Sequence, residues 1–273
     1  MKILRHLAVQ CLILFLFTAS LSAATVDGIP LHSSIAGAGP MTIILVHGWT
    51  CDETTWESQV PVLSRNYRVI TLDLPGHGQS GSPADGELSF YLFARAIEAV
   101  RSEAQIDRVV LAGHSMGSPV IIQYARLYPQ HSLALVLVDG PVALPQNLPP
   151  AELFAGPDGL KAREDLIRSM FSPSTTPEVQ ELILAMMLGA PEATAVGAMK
   201  AGRNPASWKE DVFSQPVLGI YAEKSSMADP EYMKTRFPNL EYFQIPGTGH
   251  FLMLEKPEEF NRLLLGFLEK LEY

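Results

Sequence analysis

Residues 108–127 constrain this chain more than any other stretch. Val109, Val110 and Leu111 make a short apolar run rich in β-branched side chains, the mark of a strand buried on both faces. Gly113-His114-Ser115-Met116-Gly117 follows at once. From Pro119 onward Val120, Ile121, Tyr124, Ala125 and Leu127 recur at spacings of three and four, the pattern of an amphipathic helix. A strand that passes into a helix through so few residues needs a very sharp turn, with Ser115 at its apex. Side chains at Gly113 and Gly117 would collide with neighbouring backbone, which explains why glycine stands at both. The turn is expected to hold the Ser115 hydroxyl above the sheet at a helix N-terminus. There the free N–H of Met116 points to where negative charge would develop. Taken alone, G-x-S-x-G is a loose pattern; between a strand and a helix it describes a placed nucleophile.

The rest of the chain repeats the strand-then-helix rhythm. Residues 29–36 and 41–46 read as strands, the second an unbroken apolar run ending in His47-Gly48-Trp49. Residues 54–63 read as a helix, 67–72 as a strand ending in Asp73, 90–100 as a helix, and 133–138 as a strand ending in Asp139. Residues 216–221 and 240–245 resume the strand pattern, and 258–271 close the chain with a helix. Such alternation predicts an α/β fold: a mostly parallel central sheet with helices on both faces. Between 142 and 215 the rhythm breaks. Residues 160–171, 177–188 and 191–200 read as helices separated by proline and glycine, and the section carries Met170, Met186, Met187 and Met199.

At these motifs the chain resembles the serine hydrolases of the α/β-hydrolase superfamily, from about residue 28 to the C-terminus with a gap in the middle. The resemblance implies a core of residues 25–141 and 216–273 and a small helical cap, residues 142–215, inserted over the active site with a pliable apolar lining. It implies the chain order Ser, acid, His, which makes His250, in the loop Gly247-Thr248-Gly249-His250 after the last strand, the expected general base. His47 and His77 fall in family loop motifs where histidine is structural, and the His114 side chain is expected to point away from the reaction centre. The family pattern assigns one oxyanion donor to the Met116 N–H and the other to the residue after His-Gly, here Trp49. The acid is where the chain departs from the pattern. The family usually places aspartate in Gly-x-x-Asp after the strand at 216–221, but here the stretch reads Ala222-Glu223-Lys224-Ser225. Ser225 carries no charge. Asp139, Glu223 and Asp229 remain as carboxylates; some relatives, the haloalkane dehalogenases among them, carry the acid at the strand end that Asp139 occupies, and Asp139 is the expectation.

The implied activity is hydrolysis of a small to medium apolar ester through an acyl-enzyme. Carbon–carbon bond hydrolysis, perhydrolysis and aminopeptidase action run on the same triad, and a non-catalytic ligand-binding relative is the competing class. No metal or organic cofactor is implied. Gly76-His77-Gly78-Gln79-Ser80-Gly81 matches the dinucleotide fingerprint in letters, but it continues as loop rather than opening a helix. With a formal charge of −9 nothing points to nucleic acid, and the expected partner is a small-molecule ester. Lys2 and Arg5, an apolar stretch over residues 7–17 and Ser22-Ala23-Ala24 read as a signal peptide, residues 1–24, cleaved near Ala23 or Ala24. The expectation is therefore a secreted or periplasmic protein without stable membrane insertion after cleavage. Cleavage would leave Cys51 as the only cysteine, so stability must come from the core rather than from a disulfide.

Overall fold

A computed structural model describes residues 24–227 and 229–272, together with the backbone of Ala19–Ser20. The segment expected to be a signal peptide lies outside the described residues except for Ala19, Ser20 and Ala24.

Ten strands are placed, in chain order β1 Ala19–Ser20, β2 Thr25–Val26, β3 Ile29–Pro30, β4 Ser33–Ala36, β5 Thr42–Val46, β6 Arg68–Leu72, β7 Val109–His114, β8 Ser132–Val138, β9 Val217–Ala222 and β10 Leu240–Ile245. Eight of them form one sheet in the order β1-β4-β6-β5-β7-β8-β9-β10, while β2 and β3 make a separate small hairpin. From β6 to β10 every neighbouring pair is parallel; β4 and β1 extend the sheet antiparallel. The central strands are buried along their whole length, as their unbroken apolar runs require. The single strand expected over 29–36 is in fact two. His32 leaves the ladder because its N–H donates to the Ser80 hydroxyl at 2.9 Å and its carbonyl accepts from the Asp73 N–H at 3.0 Å.

The helices are α1 Val60–Leu63, α2 Phe90–Glu103, α3 Gly117–Leu127, α4 Gly159–Ser169, α5 Pro177–Gly189, α6 Glu192–Arg203, α7 Pro230–Arg236, α8 Leu252–Glu255 and α9 Pro257–Leu268. With them the sheet is covered on both faces. Ser89 caps α2 through the Leu92 N–H, and Phe90, Phe93, Ile97 and Val100 form its buried stripe. At the start of α9 Pro257 needs no N–H partner and Glu258 and Glu259 complement the helix dipole, while Phe260, Leu264 and Phe267 face the core. The helix expected over 54–63 is shorter than its pattern. A 3₁₀ turn, Glu53–Trp56, and α1 are separate pieces, since Pro61 near the start of α1 cannot donate to the preceding turn.

Parallel pairing aligns the strand ends. Val46 lies opposite both Leu72 and Gly113, His114 opposite Val138, Val138 opposite Ile220, and Ala222 opposite Ile245. The loops carrying residues 47–50, 115–117, 139–141, 223–229 and 246–250 therefore all leave the same edge, the carboxyl end of the sheet, where α/β folds place their sites. Among the described residues, 142–215 contains no strand; α4, α5 and α6 with the 3₁₀ turn Ala151–Phe154 occupy it.

Candidate active site

The turn at Ser115 has the geometry its spacing requires. Ser115 adopts φ +53°, a left-handed conformation that costs a non-glycine residue of order 1–3 kcal/mol. Its N–H donates to the Val138 carbonyl at 2.8 Å, extending the β7–β8 ladder past the last strand residue, and its carbonyl accepts from the Ser118 N–H at 3.0 Å, opening α3. The flanking glycines are needed for closeness. A Cβ on Gly117 would stand 2.5 Å from the Val46 carbonyl oxygen and 2.8 Å from that of His47, and one on Gly113 would stand 2.4 Å from Gly117 backbone. The turn thus sits directly against the loop that follows β5.

His250 reaches the serine from the loop after β10. Its Nε2 lies 2.8 Å from Ser115 Oγ, and its Nδ1 lies 2.6 Å from Asp139 Oδ2. With Nδ1–H donating to the carboxylate, Nε2 is left to accept from the serine hydroxyl. Asp139 is 3% exposed and His250 7%, so this chain of bonds is nearly dry. Asp139 also has positive φ, +41°, with its N–H on the Ile220 carbonyl at 3.0 Å and its Oδ1 accepting from the Ala222 N–H at 3.1 Å. Burial works against the charge on its carboxyl. The bonds and charge of His250, the Ser225 hydroxyl and the Ala222 N–H outweigh that cost and hold it below the usual carboxylate range.

The other two carboxylates are engaged elsewhere. Asp229 is exposed and caps α7 by accepting from the Glu231 N–H at 2.9 Å. Glu223 is exposed and its Oε2 accepts from the Gly247 N–H at 3.2 Å. Ser225, where the family pattern has its acid, helps hold the Asp139 carboxyl low while its Oγ accepts from the Met227 N–H at 3.2 Å. Loss of charge at 225 thus leaves a hydroxyl that supports a carboxylate on the neighbouring strand.

The second loop brings Trp49. Neither the Trp49 nor the Met116 backbone N–H donates to another described residue. Gly48 is close enough to the turn that a Cβ on it would lie 3.1 Å from Ser115 Cβ. His47 holds this loop: its Nδ1–H donates to the Gly48 carbonyl at 2.8 Å and its Nε2 accepts from the Leu74 N–H at 3.0 Å, an arrangement only the neutral ring can make. The Trp49 indole donates to the Ala195 carbonyl of α6 at 2.8 Å and packs against the Phe154 ring, centroids 4.9 Å apart.

Residues 142–215 meet the strand-end loops at further points. Thr194 donates to the Gly76 carbonyl, Met186 Sδ accepts from the Thr54 and Thr55 hydroxyls, and the Met170 carbonyl accepts from the His250 N–H at 3.1 Å. Met187 and Met199 are buried, so these two methionines pack within the helical layer.

His114 is placed differently from its expected orientation away from the centre. It donates from Nε2 to the His250 carbonyl at 2.9 Å and its ring lies 4.7 Å from the His250 ring. Nothing in G-x-S-x-G distinguishes this contact, which depends on a residue 136 positions later. The glycine-rich loop Gly76-His77-Gly78-Gln79-Ser80-Gly81 closes on itself, the Gly76 N–H donating to the Gly81 carbonyl at 2.8 Å, and opens no helix. Cys51 is buried, and burial pushes its thiol up to about 12. Among the described residues no cluster of three or more His, Cys, Asp or Glu is placed to hold a metal ion, and no single helix is long and apolar enough to cross a membrane.

A strained serine between strand and helix, at the carboxyl edge of a parallel sheet and bonded to a histidine from the last strand loop, defines a class that comparison with known proteins makes explicit. The alpha/beta hydrolase fold family matches residues 42–257. The chain belongs to that family and is an α/β-hydrolase. It is 28% identical over 247 residues, 86% of its length, to the dihydrolipoyllysine-residue acetyltransferase component of the acetoin cleaving system of Pseudomonas putida, of whose own length it spans 65%. It is 26% identical over 264 residues to a 2-hydroxy-6-oxononadienedioate/2-hydroxy-6-oxononatrienedioate hydrolase of Paraburkholderia phymatum, covering 87% of this chain and 90% of that one. Among solved structures, a thermophilic esterase from Thermogutta terrifontis superposes with a TM-score of 0.81 at 26% identity, over 93% of this chain and 98% of the other.

Proposed function

We propose that this α/β-hydrolase cleaves small to medium apolar esters through a covalent acyl-enzyme, with Ser115 as nucleophile, His250 as general base and acid, and Asp139 as the orienting carboxylate. The observation that carries the reading is the unbroken chain from Ser115 Oγ to His250 Nε2 at 2.8 Å and from His250 Nδ1 to Asp139 at 2.6 Å. Ser115 Oγ attacks the ester carbonyl carbon as its proton passes to His250 Nε2, and the carbonyl π electrons move onto oxygen. The resulting oxyanion is held by the free Met116 and Trp49 N–H groups. Collapse expels the alkoxide, which takes the proton from His250. Water then repeats the attack on the acyl-enzyme, again losing its proton to Nε2, and releases the carboxylic acid and Ser115. Asp139 keeps Nδ1 protonated and stabilises the imidazolium formed in each attack. Residues 142–215 act as a cap that selects substrate size, and residues 1–24 direct export.

Ser115→Ala is expected to abolish hydrolysis of short-chain aryl esters and labelling by a fluorophosphonate while leaving the circular dichroism spectrum and Tm near wild type. Undiminished hydrolysis by a folded variant would refute the mechanism. A non-catalytic binding protein would leave wild type unlabelled. The second reading, carbon–carbon bond hydrolysis, is favoured by the Paraburkholderia relative aligned along nearly its whole length. Comparing kcat/KM for simple esters with that for a 2-hydroxy-6-oxo dienoate separates the two.

A further inference from the structure

The catalytic reading of Ser115 and His250 leaves one carboxylate at the site without a role. Glu255, the last residue of α8, stands five residues beyond His250 and makes three hydrogen bonds. Its Oε2 accepts from the Gly249 N–H at 2.6 Å and from the Ser172 hydroxyl at 2.8 Å, and its Oε1 accepts from the Thr175 hydroxyl at 3.0 Å. Gly249 immediately precedes the histidine, whereas Ser172 and Thr175 belong to the connection between α4 and α5. The same connection touches the histidine loop at two further points and is braced by one bond of its own. The Met170 carbonyl accepts from the His250 N–H at 3.1 Å, Ser174 donates to the Gly247 carbonyl at 2.7 Å, and Ser172 N–H donates to Thr175 Oγ1 at 2.8 Å, shaping the turn itself. Gly249 lies so close that a Cβ on it would stand 2.7 Å from the Met170 carbonyl oxygen and 3.0 Å from both Glu255 Oε1 and Ser172 N.

We infer that Glu255 is a positioning residue that couples the α4–α5 connection to His250, so that the helical layer sets the placement of the catalytic base as well as roofing the site. The inference rests on the catalytic reading of Ser115 and His250 given above. His250 offers two backbone groups, and both are bound by other segments: its N–H by the Met170 carbonyl, its carbonyl by His114 Nε2. Its side chain is bound at both nitrogens. What remains is the next peptide unit upstream, between Thr248 and Gly249, and the Glu255 carboxylate holds that unit through the Gly249 N–H. A carboxylate accepting several bonds is a strong anchor, since hydrogen bonds to a charged acceptor are shorter and about twice as strong as neutral ones. Because its two other bonds reach Ser172 and Thr175, displacement of the connection moves the anchor and the histidine together.

The test compares Glu255→Ala, Glu255→Gln, the double variant Ser172→Ala/Thr175→Val and Ser115→Ala, all in the full chain, by Tm, ester kinetics and the rate of fluorophosphonate inactivation. In Glu255→Ala, kcat and the inactivation rate fall together ~10- to 100-fold while KM stays within about threefold, the signature of a misplaced catalytic group rather than lost substrate binding. Glutamine keeps an acceptor for Gly249 and Ser172, so Glu255→Gln retains kcat within about fivefold. The double variant leaves the Gly249 bond in place and cuts both Glu255 bonds to the connection, together with the bonds that Ser172 N–H and Ser174 N–H make inside it; its kcat falls by at least about threefold, and combining it with Glu255→Ala adds little, as expected for residues on one path. Should Glu255→Ala fail to fold, the double and glutamine variants still decide. An unchanged kcat and inactivation rate in the folded double variant, or a Glu255→Ala variant that loses only Tm, overturns the coupling while the catalytic reading stands. Retained hydrolysis in Ser115→Ala overturns the catalytic reading and this proposal with it.

Discussion

At the scale of single residues, the site turns on where one negative charge is placed. In the proposed mechanism Asp139 supplies the charge that a single aspartate after β9 supplies in the family pattern, and the Ser225 hydroxyl helps keep that carboxyl ionised. Asp139→Asn should therefore lower kcat severely, on the order of the ~10⁴-fold loss that follows when an orienting aspartate becomes asparagine in a serine protease and the imidazole adopts the wrong tautomer. Asp229→Asn and Glu223→Gln should leave kcat within about twofold, because both side chains are exposed and bonded elsewhere and exposed charges contribute little. Ser225→Ala should fall between, because the Ser225 hydroxyl is only one of several groups that hold the Asp139 carboxyl low. Steady-state kinetics on the four variants rank them. A severe loss in Asp229→Asn with Asp139→Asn near wild type would move the acid to the other strand end.

At the scale of elements, the strained turn and the helical layer do different work. The turn depends on α3 starting hard against the loop after β5, so Gly117→Ala must push the Val46 and His47 carbonyls aside. It should lower Tm and cut kcat at least ~10²-fold, since about 1 Å of displacement of a catalytic group costs that much. A variant with wild-type kcat would show that the loop yields freely. Above the turn, Phe154 packs on Trp49 and is 1% exposed. Phe154→Ala should destabilise the layer by ~3–5 kcal/mol and shift preference toward bulkier acyl groups, because it opens space beside Trp49, the proposed oxyanion donor. An unchanged ranking of kcat/KM across acyl chain lengths would mean that the ring only packs. These elements are unequally legible in the sequence. The strands and the turn at Ser115 were legible because a buried strand is a run of apolar residues and a sharp turn needs glycine at fixed offsets. α7 and α8 were not, because helices of seven and four residues are too short to show a helical period, and the break at His32 was not, because it is held by the distant partners Asp73 and Ser80. Within the site the serine and histidine stand in local motifs. The acid has no local motif: Asp139 is expected over Glu223 and Asp229 only through the family resemblance, and the contacts of His114 and Glu255 are not legible, since they depend on which segments become neighbours.

At the scale of the whole molecule, the site rests on a core that encloses uncharged imidazoles. His47, His77 and His114 are fully buried beneath the strand-end loops, with His47 and His77 rings 5.0 Å apart and His77 edge-on to Phe93. Burial drives the pKa of His77 and of His114 down to about 3, and it lowers that of His47 as well. Such a ring binds fewer protons folded than unfolded at any pH between its folded value and the unfolded value of 6.5, so acid shifts the equilibrium toward the unfolded chain across that interval. The stabilisation is complete above pH 6.5 and falls as pH drops toward 3. Each ring contributes at most ~1.4 kcal/mol per pH unit, so His77 and His114 together give a slope approaching ~2.7 kcal/mol per unit between about pH 4 and 6. Asp139 adds in the same direction only at lower pH, because its folded pKa is depressed and its contribution is lost below the ordinary carboxylate range. Urea unfolding at half-unit steps from pH 4 to 8 should show a plateau above about 6.5 and a steep decline below it. His77→Gln, whatever its stability at neutral pH, should flatten that decline by roughly a third to a half, since one of the principal proton-binding differences is gone. A wild-type protein whose stability is level between pH 4 and 6.5, or a His77→Gln variant with an unaltered slope, would show that these rings take up protons inside the folded core.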